Sequence, residues 1–100
     1  MLDAHQVNVF LVASETLNFT HAAQRLNMTQ PSVSQHIQTL EQYFETPLFI
    51  REGRSLQLTD AGKTLIPLAR DMVKQSVLIK ETMSSLEGDV YGELTVACST

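Results

Sequence analysis

Two short helical segments joined by a tight turn lie within residues 19–49, and they constrain the fold more than any other feature of the sequence. Ala22 and Ala23 are small enough to let a neighbouring helix approach closely. Asn27 can adopt the left-handed conformation that ends a helix, and Thr29 can cap the helix that follows. The pattern therefore predicts a helix-turn-helix.

The second of these helices is expected to run from about Thr29 to Phe44. Pro31 is tolerated near its start, because the N–H that proline lacks has no intrahelical partner in the first turn. Apolar residues at helical spacing predict one buried stripe, formed by Val33, Ile37, Leu40 and Phe44. The opposite side is uncharged and rich in amides, with Pro31, Gln35, Gln38 and Gln42 on it, Ser34 on its flank and Gln30 at its start.

A first helix and a small hairpin are predicted on either side of the helix-turn-helix. Asp3 can cap a helix that runs to about Glu15, and its largely apolar face is formed by Val7, Phe10 and Leu11, with Ala4 and Ser14. Two extended runs at residues 48–51 and 56–58 flank a turn that contains Gly53. We therefore predict a mainly α fold, a winged helix-turn-helix of three helices with a short β-hairpin wing.

A long helix is predicted from residue 59 to about residue 86. Apolar residues recur on one side of it in steps of three and four, which is typical of a helix-pairing seam, namely Leu65, Leu68, Met72, Ile79, Met83 and Leu86. Self-association is the simplest way to bury this seam, so we predict a dimerisation helix. Gly88 and Gly92 then interrupt the pattern, and an alternating run from Glu93 predicts a strand.

These elements divide the chain into three parts. Residues 1–58 form the winged helix-turn-helix, residues 59–87 form the linker and dimerisation helix, and residues 88–100 form a hinge and the first strand of a further domain. Since that strand has no partner in the sequence, we expect the chain to be part of a longer protein.

The charge of the chain argues against a nucleic-acid partner, since basic domains are the usual binders. The net charge is −4 overall. It is −2 for residues 1–58, where Arg25, Arg51 and Arg54 stand against Asp3, Glu15, Glu41, Glu45 and Glu52. Placement can compensate for this deficit: Arg51 and Arg54 fall in one short segment, and helix N-termini and polar side chains also bind phosphate. Arg25 reads as a surface charge near a helix C-terminus.

Other function classes find little support in the sequence. No apolar run approaches the ~20 residues that a membrane-spanning helix needs, and the N-terminus lacks a secretory signal, so a cytoplasmic protein without membrane contact is the default. Cys98 has no partner for an internal disulfide, and the histidines show no zinc spacing, so we expect no metal and no cofactor in this chain. We expect no enzyme, and His36 reads as a packing or solvent-facing residue.

The amide-rich face of the second helix is chemically suited to a DNA major groove. Glutamine can present its amide bidentately to adenine, and serine hydroxyls serve base edges or phosphates. Arg54, at the hairpin tip, can reach a minor groove or a phosphate, whereas Arg51 can do so or instead pair with Glu52 or Glu45. The predicted DNA contacts are Thr20, His21, Gln30, Pro31, Ser32, Ser34, Gln35, Gln38, Arg51 and Arg54. The alternative hypothesis is a helical protein-interaction module without specific DNA binding, which the acidic balance would explain directly.

Several motifs together resemble the N-terminal part of LysR-type transcriptional regulators over nearly the whole chain. The matching segments are Phe10, residues 18–26 (NFTHAAQRL), residues 30–37 (QPSVSQHI), Leu40-Glu41, Pro47-Leu48-Phe49, Arg51 and residues 58–62 (LTDAG). The resemblance implies a winged helix-turn-helix and a linker helix that pairs two chains, followed by a periplasmic-binding-protein-like effector domain. It also implies that the helix at residues 29–44 enters the major groove, that the positions of Gln30, Pro31, Ser34 and Gln35 contact DNA, and that the position of Arg54 reaches the minor groove.

The family resemblance further implies tetramers of the full-length protein, bound to interrupted inverted repeats in promoter DNA and controlled by a small-molecule effector. Two positions depart from the family pattern. Many members have arginine in place of Gln35 and glycine in place of Thr46. Because glutamine lacks the guanine-seeking fork and the charge of arginine, we expect a shifted base preference and weaker phosphate attraction.

Overall fold

The computed structural model of the protein describes residues 2–92, with side chains for residues 2–86. The elements follow in the order α1 (Ala4–Thr16), α2 (Phe19–Leu26), α3 (Gln30–Phe44), β1 (Phe49–Glu52), β2 (Ser55–Leu58) and α4 (Asp60–Gly92). The prediction of a mainly helical winged helix-turn-helix followed by a long helix is confirmed. The strand expected from Glu93, and Cys98 within it, lie outside the described residues.

Local capping explains where the first three helices begin and end. The side chains of Asp3, Asn18 and Thr29 accept hydrogen bonds from the backbone N–H groups of His5 (3.0 Å), His21 (2.9 Å) and Ser32 (3.3 Å), respectively. Each of these caps satisfies a donor that has no partner within its helix. Left-handed residues end the same helices, namely Leu17 (φ 50°), Asn27 (φ 55°) and Glu45 (φ 56°). The predicted roles of Asp3, Asn27 and Thr29 are confirmed.

The core is built around α1, which contacts α2, α3 and α4. The predicted residues Val7, Phe10 and Leu11 are buried, but so are Val9 and Ala13 on other sides of the helix. The helix α1 is therefore buried on more than the one face that was predicted, because three other helices pack around it. The predicted stripe on α3 is confirmed at Val33, Ile37 and Leu40, which are fully buried, and Phe44 is partly buried at its end.

The wing is a two-stranded antiparallel hairpin in which Phe49 pairs with Leu58 and Glu52 pairs with Ser55. Its strands extend further towards the tip than predicted, so that Gly53 and Arg54 alone form the connection. Gly53 adopts a φ of 61°, and a glycine at the first position of a two-residue connection is typical of a type II′ turn. Arg54 is consequently held at the exposed tip.

The first half of α4 has two apolar faces. Ile66, Ala69 and Val73 pack against the core, and Ala69 is fully buried. The predicted seam lies about 100° away around the helix. Within the seam, Leu65 and Met72 are partly buried against the core, whereas Leu68, Ile79, Met83 and Leu86 are more than half exposed. The sequence pattern identified the exposed face that carries the seam, but it missed the face of Ile66, Ala69 and Val73 that packs against the core.

The end of α4 differs from the expectation. The helix was predicted to end at about residue 86, but it continues through Gly88 to Gly92. A glycine costs a helix interior only about 1 kcal/mol, which does not stop a helix that has already propagated for many turns. α4 also runs through Pro67, which lies at the start of its third turn, where the helix is already anchored to the core on its Ile66 and Ala69 side.

Candidate nucleic-acid interface

The polar side of α3 faces outwards because its apolar side is fixed in the core. Pro31, Ser32, Gln35 and Gln38 are exposed, and Gln30 and Ser34 are partly buried. All six predicted contact residues of this helix are therefore accessible on one surface of the molecule. Since none of them is charged, the surface offers hydrogen-bond donors and acceptors without the desolvation cost of an ion.

Side-chain hydrogen bonds order the first turns of this polar surface. Gln30 Nε2 donates to Ser34 Oγ at 2.9 Å, and Thr29 Oγ1 donates to Ser32 Oγ at 3.0 Å. Gln35 is held less firmly, since its Nε2 lies 3.5 Å from Thr39 Oγ1. A bond this long is weak, so the amide of Gln35 can turn towards a partner at little cost.

Two neighbouring clefts lie between the wing and the helix-turn-helix. The first is lined by Thr20, Gln30, Arg51 and Arg54, together with Leu17, Asn18, Phe19 and Leu56. The second is lined by Ser34, Gln38, Glu41 and Arg51, together with Phe19, Ile37, Phe49 and Leu56. Arg51 borders both clefts, so the fold brings both wing arginines beside the polar residues of α2 and α3.

The predicted contact residues fall into two groups in the structure. Six of them line the clefts, namely Thr20, Gln30, Ser34, Gln38, Arg51 and Arg54. The other four, His21, Pro31, Ser32 and Gln35, are exposed at the start or on the outer side of their helices and line neither cleft. The interface therefore combines a convex surface on α3 with a concave junction beside the wing.

Aromatic contacts attach the wing to the rest of the domain. The ring of Phe49 lies between those of Phe10 and Phe19, with centroids 5.7 Å and 5.4 Å away. The pair with Phe19 is edge-to-face, a favourable arrangement for two aromatic rings. Phe19 thus packs at the start of α2, and its contact with Phe49 joins β1 to that helix.

The structure gives Glu41 a role that the sequence analysis did not assign. Its Oε2 accepts hydrogen bonds from the backbone N–H groups of Leu48 at 2.8 Å and Phe49 at 3.2 Å. This carboxylate therefore joins α3 to the start of the wing. No local pattern marks the contact, because its partners follow the helix in sequence and meet Glu41 only in the folded chain.

The acidic composition argued against DNA binding, but the positions of the charged side chains weaken that argument. Among the side chains of residues 2–86, the only ion pair joins Arg25 to Glu15, at 3.1 Å. Arg25 is thus partly neutralised, and the alternative pairing of Arg51 with Glu52 or Glu45 does not occur. Of the acidic residues, only Glu41 lines either cleft. The two wing arginines remain available for an anionic partner.

Two of the three histidines, His5 and His36, pack against each other. His36 is partly buried, and its ring lies edge-to-face against that of His5 with centroids 5.2 Å apart. Within residues 2–92, no group of three or more potential ligands from His, Cys, Asp and Glu is close enough to hold a metal ion. No helix of that region is both long and apolar enough to cross a lipid bilayer.

The sequence of residues 4–63 matches the family described as bacterial regulatory helix-turn-helix protein, lysR family. The chain belongs to the LysR family. One relative is an uncharacterised HTH-type transcriptional regulator from the ibpB-leuC intergenic region of Azotobacter vinelandii, 40% identical over 98 residues, which cover 98% of this chain and 68% of the relative. Other LysR-family relatives are matched over only about a third of their length.

Solved structures with the same fold include DNA complexes of two proteins, DarR and CbnR. One is DarR of Vibrio fischeri in complex with DNA, at 31% identity and a TM-score of 0.81, matched over 87% of this chain and 30% of that protein. The other is the CbnR DBD–DNA complex, at 26% identity and a TM-score of 0.78, matched over 86% of this chain and 99% of that one. The predicted resemblance to LysR-type regulators is confirmed.

Proposed function

We propose that this chain is the sequence-specific DNA-binding and dimerisation region of a bacterial LysR-type transcriptional regulator. The carrying observation is that the fold brings Arg51 and Arg54 of the wing beside Thr20 and Gln30, at the edge of the exposed amide-rich face of α3. Such an arrangement offers base-reading amides and phosphate-binding cations on one surface. The family fold and its occurrence in two DNA complexes support DNA over the protein-interaction alternative.

In this proposal α3 enters the major groove. Gln35 and Gln38 are exposed and present amides that can pair bidentately with adenine, while Ser34 lies one turn before Gln38. Pro31 and Ser32 stand at the N-terminal end of the helix, where backbone N–H groups and the helix dipole favour a phosphate. His21 and Thr20 lie in the first turn of α2 and contact the adjoining backbone.

The wing extends the contact to the neighbouring minor groove or phosphate backbone. Arg54 occupies the two-residue turn at its tip, and Arg51 lies on β1 at the border of both clefts. Arginines are suited to this task because they remain charged and because narrow minor grooves attract cations. The wing thus supplies the positive charge that α3 lacks.

Dimerisation occurs through α4. Leu68, Ile79, Met83 and Leu86 are more than half exposed along one side of this helix, which is costly for a lone chain in water. At its N-terminal end, the seam continues into an apolar groove lined by Phe44, Thr46, Leu48, Ala61, Thr64, Leu65 and Leu68. A second copy of the chain can cover this seam together with the groove and so present two α3 helices to a symmetric DNA site.

The full-length protein is proposed to work as its relatives' family suggests. It is a regulator and not an enzyme, and it acts in the bacterial cytoplasm, at the nucleoid when it is bound. It forms tetramers on interrupted inverted repeats in promoter DNA. Residues 1–58 bind DNA, residues 59–87 pair the chains, and residues from 88 onwards lead into a domain that binds a small-molecule effector.

Selection of DNA from a random duplex pool tests the proposed function. The chain is expected to enrich a sequence with twofold symmetry, because a dimer presents two α3 helices. Fluorescence anisotropy should then show a preference for the enriched duplex over a shuffled one, with affinity that falls steeply as salt rises. A folded dimer that enriches no sequence and binds neither duplex at low salt would contradict the proposal and favour a protein partner.

A further inference from the structure

The segment that leads into the wing is held from two sides. On one side, Glu41 of α3 accepts hydrogen bonds from the N–H groups of Leu48 and Phe49. On the other side, Thr59, immediately before α4, donates from Oγ1 to the carbonyl oxygen of Pro47 at 2.7 Å and from its backbone N–H to that of Leu48 at 3.0 Å. Four consecutive backbone groups of a short connection are thereby fixed to the two helices that flank the wing.

This double attachment is stronger than ordinary loop contacts. A carboxylate that accepts two N–H groups forms charge-assisted hydrogen bonds, which are about twice as strong as neutral ones. Both bonds go to Oε2 of Glu41, so one oxygen holds the two N–H groups at the start of β1. Thr59 is itself fixed, since its Oγ1 accepts a hydrogen bond from the N–H of Gly62 at 3.0 Å.

The position of Glu41 connects this attachment to the interface. Its side chain lines the same cleft as Gln38 of α3 and Arg51 of the wing. A small rotation of β1 about its attachment would move Arg51, and would move Arg54 further because Arg54 lies at the tip. The bonds at Leu48 and Phe49 therefore help to set the angle between α3 and the wing, together with the packing of Phe49 against Phe10 and Phe19.

We propose that Glu41 and Thr59 are positioning residues for DNA recognition. They hold the wing at one angle to α3 and α4, so that Arg51 and Arg54 meet the DNA backbone when α3 occupies the major groove. The inference rests on the proposed DNA-binding function and deepens it. An acidic residue within a DNA-binding surface would then favour DNA binding, because its negative charge strengthens the hydrogen bonds that hold the backbone of the wing.

The test compares three variants on the duplex that the wild-type chain selects from a random pool. Glu41→Ala leaves two N–H groups without their acceptor and is expected to weaken binding roughly tenfold, about the loss of one or two phosphate contacts. Glu41→Gln keeps an oxygen acceptor but loses the charge that strengthens both bonds, so its affinity should lie between those of Glu41→Ala and the wild type. Asp3→Ala is the matched control, because it also removes a carboxylate that accepts a backbone N–H, but on α1.

A double-mutant cycle with Arg54→Ala separates positioning from general destabilisation. If Glu41 positions the wing, Arg54→Ala costs much less affinity in the Glu41→Ala background than in the wild type. Gln35→Ala should cost the same in both backgrounds, since α3 stays in place. Thr59→Val provides a second variant, and it should reduce the effect of Arg54→Ala in the same way if Glu41→Ala fails to fold.

The outcomes distinguish this inference from the proposed function. If the wild-type chain selects and binds no duplex, the proposed function fails, and the inference fails with it. If the wild type binds but the effects of Glu41→Ala and Arg54→Ala simply multiply, the positioning role is wrong while DNA binding stands. Equal affinities of the Glu41→Ala and Asp3→Ala variants for the duplex would also overturn the inference.

Discussion

Gly62 lies directly against the carbonyl oxygen of Leu48, so that a Cβ at this position would collide with that oxygen and with the side chain of Leu58. The close approach seats the first turn of α4 against the start of the wing. It permits the hydrogen bond from the N–H of Thr59 to the same carbonyl at 3.0 Å. A glycine within a helix usually lowers the stability of the protein, but here the absence of a Cβ allows α4 to pack closely against the backbone of Leu48.

Replacement of Gly62 by alanine should therefore destabilise the domain despite the better helix propensity of alanine. We expect a loss of about 1–3 kcal/mol in the free energy of unfolding, because backbone atoms cannot yield as a flexible side chain does. Urea denaturation followed by circular dichroism measures this change. Lys63→Ala, at the exposed neighbouring position, is the control and should be nearly neutral. A Gly62→Ala variant as stable as the wild type would show that the contact is looser than described.

Glu45→Gly should stabilise the domain. Glu45 ends α3 with a φ of 56°, a conformation that costs a residue with a side chain about 1–2 kcal/mol. Glycine removes this strain but loses entropy on folding, so the expected net gain is about 0.5–1 kcal/mol in the free energy of unfolding. Glu45→Ala serves as the control, because it removes the same charge and keeps the strain. If both variants gave the same stability, the benefit would come from charge alone.

Gln35→Ala and Arg54→Ala should affect DNA binding in different ways. Gln35→Ala should reduce discrimination between the selected duplex and duplexes with single base changes by about 1–3 kcal/mol, because a base-reading amide is lost. Arg54→Ala should weaken binding to all duplexes alike and lower the slope of affinity against salt by about one. Anisotropy titrations over a salt series measure both effects. Unchanged specificity and affinity in both variants would mean that these residues lie outside the interface.

Ile79→Asp should convert the dimer to a monomer. Ile79 is 63% exposed and lies away from the core of its own chain, so the aspartate should leave the fold intact while placing a charge in the seam. Loss of the second binding unit should then weaken DNA binding at least about 100-fold. Sedimentation velocity measures the association. Ser84→Asp, on another side of α4, is the control, and an unchanged dimer in the Ile79→Asp variant would refute the seam.

Much of the fold was predictable because its signals are local. Thr29 and Pro31 mark the start of α3 by capping and by the missing N–H of proline, and Asn27 marks the preceding turn through its tolerance of left-handed backbone. The polar side of α3 was likewise predictable, since the opposite stripe must be buried in any compact arrangement. The candidate contact residues on this helix therefore needed no knowledge of tertiary structure.

The rest depends on contacts between distant parts of the chain. Glu41 appeared as one more acidic residue, because its partners Leu48 and Phe49 are brought to it by the turn after α3. The second apolar face of α4 was missed for a similar reason. In the sequence, Ile66 and Val73 look like extra apolar residues beside a pairing seam, and only the packing of α4 against the core explains them.

The most direct test of the account is a titration of the isotope-labelled chain with its selected duplex, followed by the amide and side-chain NMR signals. We predict that the shifted signals belong to residues 18–21, the polar side of α3 and the wing from Arg51 to Arg54. Signals of α1 around Ala4 should stay in place. Changes confined to α4, or no changes at duplex concentrations that saturate other LysR-family domains, would contradict the central claim that α3 and the wing read DNA together.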